Sequence, residues 1–173
     1  MELQFSIIGR NVNGMSNTKK RDKMFLRLKS KADVIFLQET HTTISVEKIY
    51  ENNYSDLKFI FSHGSSNSCG VIIAFKSSLE YEIHNSIKDP SGRYIFANVT
   101  IQGHNCLLVN VYAPTESEKK NVEFLTEIND LLTNYNGTNI DSIIMQGDWN
   151  FTETIDRDRI GGNPTLWKKS IKK

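Results

Sequence analysis

The sequence predicts an α/β sandwich, with sheets inside and helices outside, on three observations. Short continuous apolar runs such as Val34-Ile35-Phe36-Leu37 and Val71-Ile72-Ile73-Ala74-Phe75 have the pattern of buried strands, and Ile143-Ile144-Met145 reads as a further strand. Between such runs, apolar residues recur at three- and four-residue intervals, the period of a helix with one buried face. The length of 173 residues corresponds to a single folding unit at roughly 100–200 residues per domain, and no repeat or linker interrupts it before Phe151.

Leu3 to Ile8 is expected to form the first strand and to end in a turn over Gly9-Arg10-Asn11-Val12-Asn13-Gly14, where Asn-Gly is a turn signal. Met24, Phe25 and Leu28 then give the apolar stripe of a basic helix, followed by the strand Val34–Leu37, which stops at Gln38-Glu39-Thr40-His41. A weak helical pattern over Ser45–Asn53 precedes a strand at Leu57–Phe61. The Gly/Ser/Asn-rich segment His63–Ser68 reads as a loop before the strand Val71–Phe75. Leu79–Ile87, Tyr94–Ile101 and Cys106–Tyr112 continue as strands of antiparallel type, separated by turns at Asp89-Pro90-Ser91-Gly92 and Gln102-Gly103. Thr115 with Glu118 fits a capping box for a helix whose buried stripe is expected at Val122, Leu125, Ile128, Leu132 and Tyr135. Asn136-Gly137 is expected to stop it before the strand Ile143–Met145 runs into Gln146-Gly147-Asp148-Trp149-Asn150.

A composition of 38% hydrophobic and 24% charged residues excludes disordered, collagen-like and disulfide-stapled classes. The N-terminus lacks the basic and apolar regions of a secretory signal, and no run approaches the roughly 18 apolar residues of a membrane span. An intracellular protein, nuclear or cytoplasmic, is therefore expected, with Cys69 and Cys106 as free thiols. The net charge of +1 gives no global case for nucleic acid, but seven of the thirteen residues Lys19–Lys31 are basic and four lysines lie within Trp167–Lys173. Either stretch suits a phosphate backbone, and equally a solvated helix face or chain end.

Chemistry-bearing polar residues cluster at the C-terminal ends of separate apolar strands: Asn11 and Asn13, Glu39, Tyr112, then Asp148 and Asn150. Ligands of α/β sheets bind in that crevice, so these segments are expected to converge. Singly, each residue has a plainer reading: turn formers for the asparagines, a solvated carboxylate for Glu39, a turn cap for Asp148, a packed aromatic for Tyr112.

Together, Asn11-Val12-Asn13-Gly14, Gln38-Glu39-Thr40-His41, Val109-Asn110-Val111-Tyr112-Ala113-Pro114-Thr115 and Gly147-Asp148-Trp149-Asn150 resemble, in order and spacing, the endonuclease/exonuclease/phosphatase family. Gln-Glu-Thr-His, the Gly70–Ile73 strand start, Gly92-Arg93-Tyr94 and Gly-Asp-Trp-Asn look most like the apurinic-like endonuclease domain of LINE-type (non-LTR) retrotransposon polyproteins. The resemblance implies a four-layer sandwich of two mixed sheets flanked by helices. It implies a domain over residues 1–160 followed by a basic tail at 161–173. By resemblance, Glu39 is the metal-binding glutamate for Mg²⁺, with Mn²⁺ as substitute, and Asn11 and Asn13 support metal and phosphate. Tyr112 touches the scissile phosphate, Asp148 orients or deprotonates the attacking water, and Asn150 holds that water or a phosphate oxygen. DNA is the implied substrate, nicked at a target site to leave a 3′-hydroxyl primer, within a larger polyprotein carrying a reverse transcriptase downstream.

Family members complete the site with an aspartate on a later strand and a Ser-Asp-His triplet; no Ser-Asp-His occurs in this sequence, and Asp156 and Asp158 fall in a stretch that reads as loop. The 23 residues after Asn150 are too few for two more strands and helices, so an incomplete domain with weak or no activity is expected. His41 is the histidine nearest to these motifs in sequence, and a surface or supporting role is expected for it. The competing readings are an inactive nucleic-acid-binding remnant and a relative acting on a lipid or inositol phosphate.

Overall fold

The computed structural model describes residues 4–137 and 139–150. Strands β1 (Ile7–Asn11), β2 (Val34–Gln38), β3 (Leu57–Ser62) and β4 (Val71–Lys76) form one sheet in the order β1-β2-β4-β3. A second sheet has the order β5-β6-β7-β8, from β5 (Tyr81–Lys88), β6 (Tyr94–Ile101), β7 (His104–Tyr112) and β8 (Ser142–Asp148). Both sheets are mixed: β1 runs parallel to β2 and β7 parallel to β8, and the other pairs are antiparallel.

Side-chain alternation builds the layers. Val34 and Phe36 of β2 point inward to meet Val71, Ile73 and Phe75 of β4 and Ile95, Ala97, Val99, Cys106 and Leu108 of the second sheet. Ile35 and Leu37 point outward, where α1 (Thr18–Lys29) and α2 (Glu47–Asn53) cover them with Phe25, Leu28, Tyr50 and Tyr54. On the far side, α3 (Glu118–Thr133) lays Phe124 and Ile128 on Phe96, Leu107 and Val109. Helices, sheet, sheet and helix give the expected four layers, and the uninterrupted apolar runs of β2 and β4 are strands whose two faces are both buried, whereas β8 leaves Ile143 exposed.

Four expectations need correction. The first strand begins later and includes Gly9, Arg10 and Asn11, which the sequence suggested were a turn. Its register is set by Ser6, whose N–H and hydroxyl both donate to Asp33 Oδ2 at 2.9 and 2.7 Å. Gly9 stays in the strand because the side chain of Gln146 on β8 fills its place: a Cβ there would lie 2.1 Å from Gln146 Oε1. The N-cap of α3 is Ser117, not Thr115; its Oγ accepts from Lys120 N–H at 3.3 Å. The buried face of that helix carries Asn121, Phe124 and Ile128, leaving Val122 56% exposed, because Asn121 is anchored inward by donating to the Pro114 and Trp149 carbonyls at 3.2 and 3.0 Å. The helix ends at Thr133, short of Asn136-Gly137. The basic tail at 161–173 lies outside the described residues.

Candidate active site

The two parallel pairs matter most for function, since they bring four carboxyl ends to one place. Asn11 ends β1, Glu39 follows β2, Tyr112 ends β7 and Asp148 ends β8, with Tyr112 and Asp148 in register. Backbone bonds continue the pairing beyond the strands: Val12, Gly14 and Met15 N–H donate to the carbonyls of Gln38, Glu39 and Thr40 at 2.9, 2.7 and 3.1 Å. Thr40 and His41 N–H reach Gly70 and Cys69, and Ala113 N–H reaches Asp148. The loops bearing the predicted residues are thus stitched to one another.

Left-handed backbone concentrates in those loops. Asn13, Glu39, His41 and Asn150 have φ of 45°, 54°, 52° and 47°. Asn and His tolerate this conformation more readily than Glu, and such strain, of order 1–3 kcal/mol per residue, persists where surroundings over-determine it, commonly at working sites.

Side chains link across the sheets. Asn11 Nδ2 donates to Asp148 Oδ2 at 2.7 Å, while its Oδ1 accepts from Asn13 N–H at 3.0 Å. The Tyr112 hydroxyl donates to Glu39 Oε1. Asp148 Oδ1 accepts from Asn150 N–H at 3.1 Å, and Asn150 Nδ2 donates to the Ala113 carbonyl at 2.7 Å. Asn11, Asp148 and Asn150 thus form one hydrogen-bonded group, which Asn13 joins through its backbone, and Tyr112 with Glu39 forms a second, set beside the first where Tyr112 pairs with Asp148 across β7 and β8. Burial, then the Glu39 carboxylate, push the Tyr112 phenol above its ordinary range, so it stays a neutral proton donor.

Oxygen donors from Glu39 and Asn11 suit a hard divalent cation that keeps several waters. Among the described residues no group of three or more His, Cys, Asp or Glu side chains is placed to form an all-protein metal cage. No described histidine hydrogen-bonds to Glu39, Tyr112 or Asp148. His41 packs against the site loop, its Nδ1 3.0 Å from where a Cβ on Gly14 would stand, and His63 is held by Glu47 at 2.8 Å and stacked on Phe61.

Several supporting residues escaped the sequence reading. Gln38 Nε2 donates to Asn110 Oδ1 at 2.6 Å, and Asn110 Nδ2 donates to the Leu37 and Ile72 carbonyls at 3.0 and 2.9 Å. This buried knot joins the sheets directly behind Glu39 and Tyr112. Asn110 between Val109 and Val111, a polar residue at the centre of an apolar strand, was its available signal. Arg93 places its guanidinium 5.8 Å from the Tyr112 ring centroid and pairs with Glu116 at 3.1 Å. The basic run also divides: Arg21 is buried on Tyr50 and Tyr54, Lys20 is exposed but folds its ammonium back onto the preceding loop, and Lys19, Lys23, Arg27 and Lys31 are exposed.

The layered sandwich with its site at converging carboxyl ends is the endonuclease/exonuclease/phosphatase fold. AP endonuclease LMAP from Leishmania major superposes with a TM-score of 0.70 at 16% identity, covering 95% of this chain and 60% of that one. An endonuclease/exonuclease/phosphatase family protein from Bacteroides thetaiotaomicron superposes with a TM-score of 0.62 at 12% identity, covering 88% of this chain and 66% of that one. In sequence, the chain is similar to the transposon TX1 uncharacterized 149 kDa protein of Xenopus laevis, 29% identical over 151 residues. That match takes in 87% of this chain and 11% of the transposon protein's length. No family model matches.

Proposed function

We propose that this chain is a Mg²⁺-dependent phosphodiesterase domain of retrotransposon type that nicks DNA and leaves a 3′-hydroxyl for priming. The observation that carries the reading is the convergence at four strand ends of two hydrogen-bonded groups, Asn11–Asp148–Asn150 and Tyr112–Glu39. The likeness to a transposon protein and to an AP endonuclease supports it. A polyprotein with a reverse transcriptase downstream fits the small share of the transposon relative that this chain spans.

Each residue has a chemical task in such a reaction. Asp148, oriented by Asn11 and by the Asn150 N–H, is the carboxylate that takes a proton from the attacking water. Tyr112, kept neutral, gives up Glu39 as its acceptor and offers its hydroxyl to a phosphate oxygen. Glu39, with Asn11, would hold Mg²⁺ or Mn²⁺, which when bound neutralises charge developing on the phosphate. Asn150, its Nδ2 committed to the Ala113 carbonyl, fixes the turn that presents Asp148.

The test is nicking of supercoiled plasmid with Mg²⁺ by the chain and by Asp148→Ala. Loss of the proton acceptor should lower the rate by about 10²–10⁴-fold with folding retained. Equal nicking by both proteins, or none by either, would overturn the reading. Binding without nicking would point to the remnant alternative, and release of phosphate from an inositol or lipid phosphate to the other.

A further inference from the structure

The first turn of α1 contradicts helix electrostatics. Lys19, Lys20 and Arg21 follow the N-cap Asn17 with no acidic residue in that turn, so cations sit at the end of the helix where the dipole disfavours them. Two of the three fold back onto the preceding loop. Lys20 Nζ donates to the carbonyls of Val12, Asn13 and Gly14 at 2.6, 2.8 and 2.8 Å, and Arg21 donates to that of Met15 at 3.2 Å. Four successive carbonyls converge on two successive cations.

The same loop has its amides committed elsewhere. Val12, Gly14 and Met15 N–H bind the loop carrying Glu39, and Asn13 N–H binds Asn11 Oδ1. Asn13 and Gly14, at φ of 45° and 79°, turn consecutive carbonyls toward one point, where their dipoles repel unless a cation lies between them. An ammonium has three protons and no acceptor, and here all three are used.

We infer that Lys20 is a positioning residue: its ammonium is a built-in cation that closes the Asn11–Gly14 loop and thereby holds Asn11 on Asp148. This role rests on the nuclease reading for its effect on rate, but not for its effect on the loop. Lys20 is exposed like Lys19 and Lys23, but its ammonium protons are already engaged by the loop.

The experiment compares Lys20→Met, Lys20→Arg and Lys20→Cys, the last before and after alkylation with 2-bromoethylamine, all in a Cys69→Ser background. Amide exchange by NMR follows Asn13 N–H and the Asn11 side-chain amide, and plasmid nicking gives kcat and KM. In Lys20→Met and unmodified Lys20→Cys, exchange at Asn13 should quicken by about 10-fold or more, as loss of a charge-assisted bond implies, with core amides unchanged. There kcat should fall about 10–100-fold at unchanged KM, the scale of a misplaced catalytic group. Aminoethylation, which rebuilds a lysine-shaped ammonium, should restore both, whereas Lys20→Arg should not, because a planar fork cannot direct three protons at one carbonyl cluster. Unchanged exchange in Lys20→Met, full activity in Lys20→Arg, or a rise in KM alone would overturn the inference. Should Lys20→Met not fold, the two states of Lys20→Cys decide it. An inactive parent chain would refute the nuclease reading while leaving the exchange comparison decisive for Lys20.

Discussion

Tyr112 and Glu39 show how one contact serves two states of a site. The phenol is buried to 7% exposure, and its hydroxyl is satisfied by the Glu39 carboxylate, which in the proposed reaction would also hold the metal. In the proposed reaction, losing that hydroxyl removes a donor to the phosphate but deletes no packing. Tyr112→Phe is therefore expected to lower nicking by about 10²-fold or more while costing only about 1 kcal/mol of stability. Plasmid nicking beside thermal unfolding checks this; a large loss of stability with a proportionate loss of rate would make Tyr112 structural. The strained φ of 54° at Glu39 belongs to the same logic, since a residue held in left-handed conformation by three sets of loop bonds keeps its carboxylate in place without substrate.

Strand β7 and helix α3 carry the lessons about elements. Asn110 is fully buried and bonds Gln38 and two backbone carbonyls, so Asn110→Ala deletes three buried hydrogen bonds. A loss of about 3 kcal/mol or more is expected in urea unfolding, against under 1 kcal/mol were the knot solvated. On α3, Phe124→Ala should cost about 3–5 kcal/mol and Val122→Lys within about 0.5 kcal/mol, and the reverse ranking would restore the apolar stripe first expected. Strands were legible wherever both faces are buried, as in Val34–Gln38, because an uninterrupted β-branched run has no alternative. The first strand was misplaced because its extent follows a Ser6–Asp33 bond and a gap filled by Gln146, both long-range. The helix face was misread because a polar residue, Asn121, occupies an inward position. Site residues were legible because they stand at strand ends, whereas Lys20 and Asn110 reveal their work only when distant carbonyls are in place.

Across the whole molecule, all six tyrosines have phenols pushed above their ordinary range, with burial the leading cause at each. They belong to both outer helix layers and to the seam between sheets, so the four-layer packing as a unit, more than any one neighbour, keeps them neutral. This has a sign. Below pH about 10 the folded and unfolded chains both hold the phenol protons, and the stability due to burial is fully present. Above that value the unfolded chain releases protons that the folded chain retains, so the folded state binds more and stability falls as pH rises. Tyr50, 1% exposed and pushed up to about 12, accounts for roughly 2–3 kcal/mol of that loss between pH 10 and 12. Urea unfolding at pH 8, 10 and 11 should show a midpoint that is steady to pH 10 and then drops. Phenolate absorbance should lag behind that of the denatured chain over the same interval. Tyr50→Phe, which removes one titrating group while keeping its ring among Phe25, Tyr54 and Phe61, should flatten the drop. Six phenols ionising together near pH 10 in a still-folded protein would show that the layers admit water, and would remove burial as the cause.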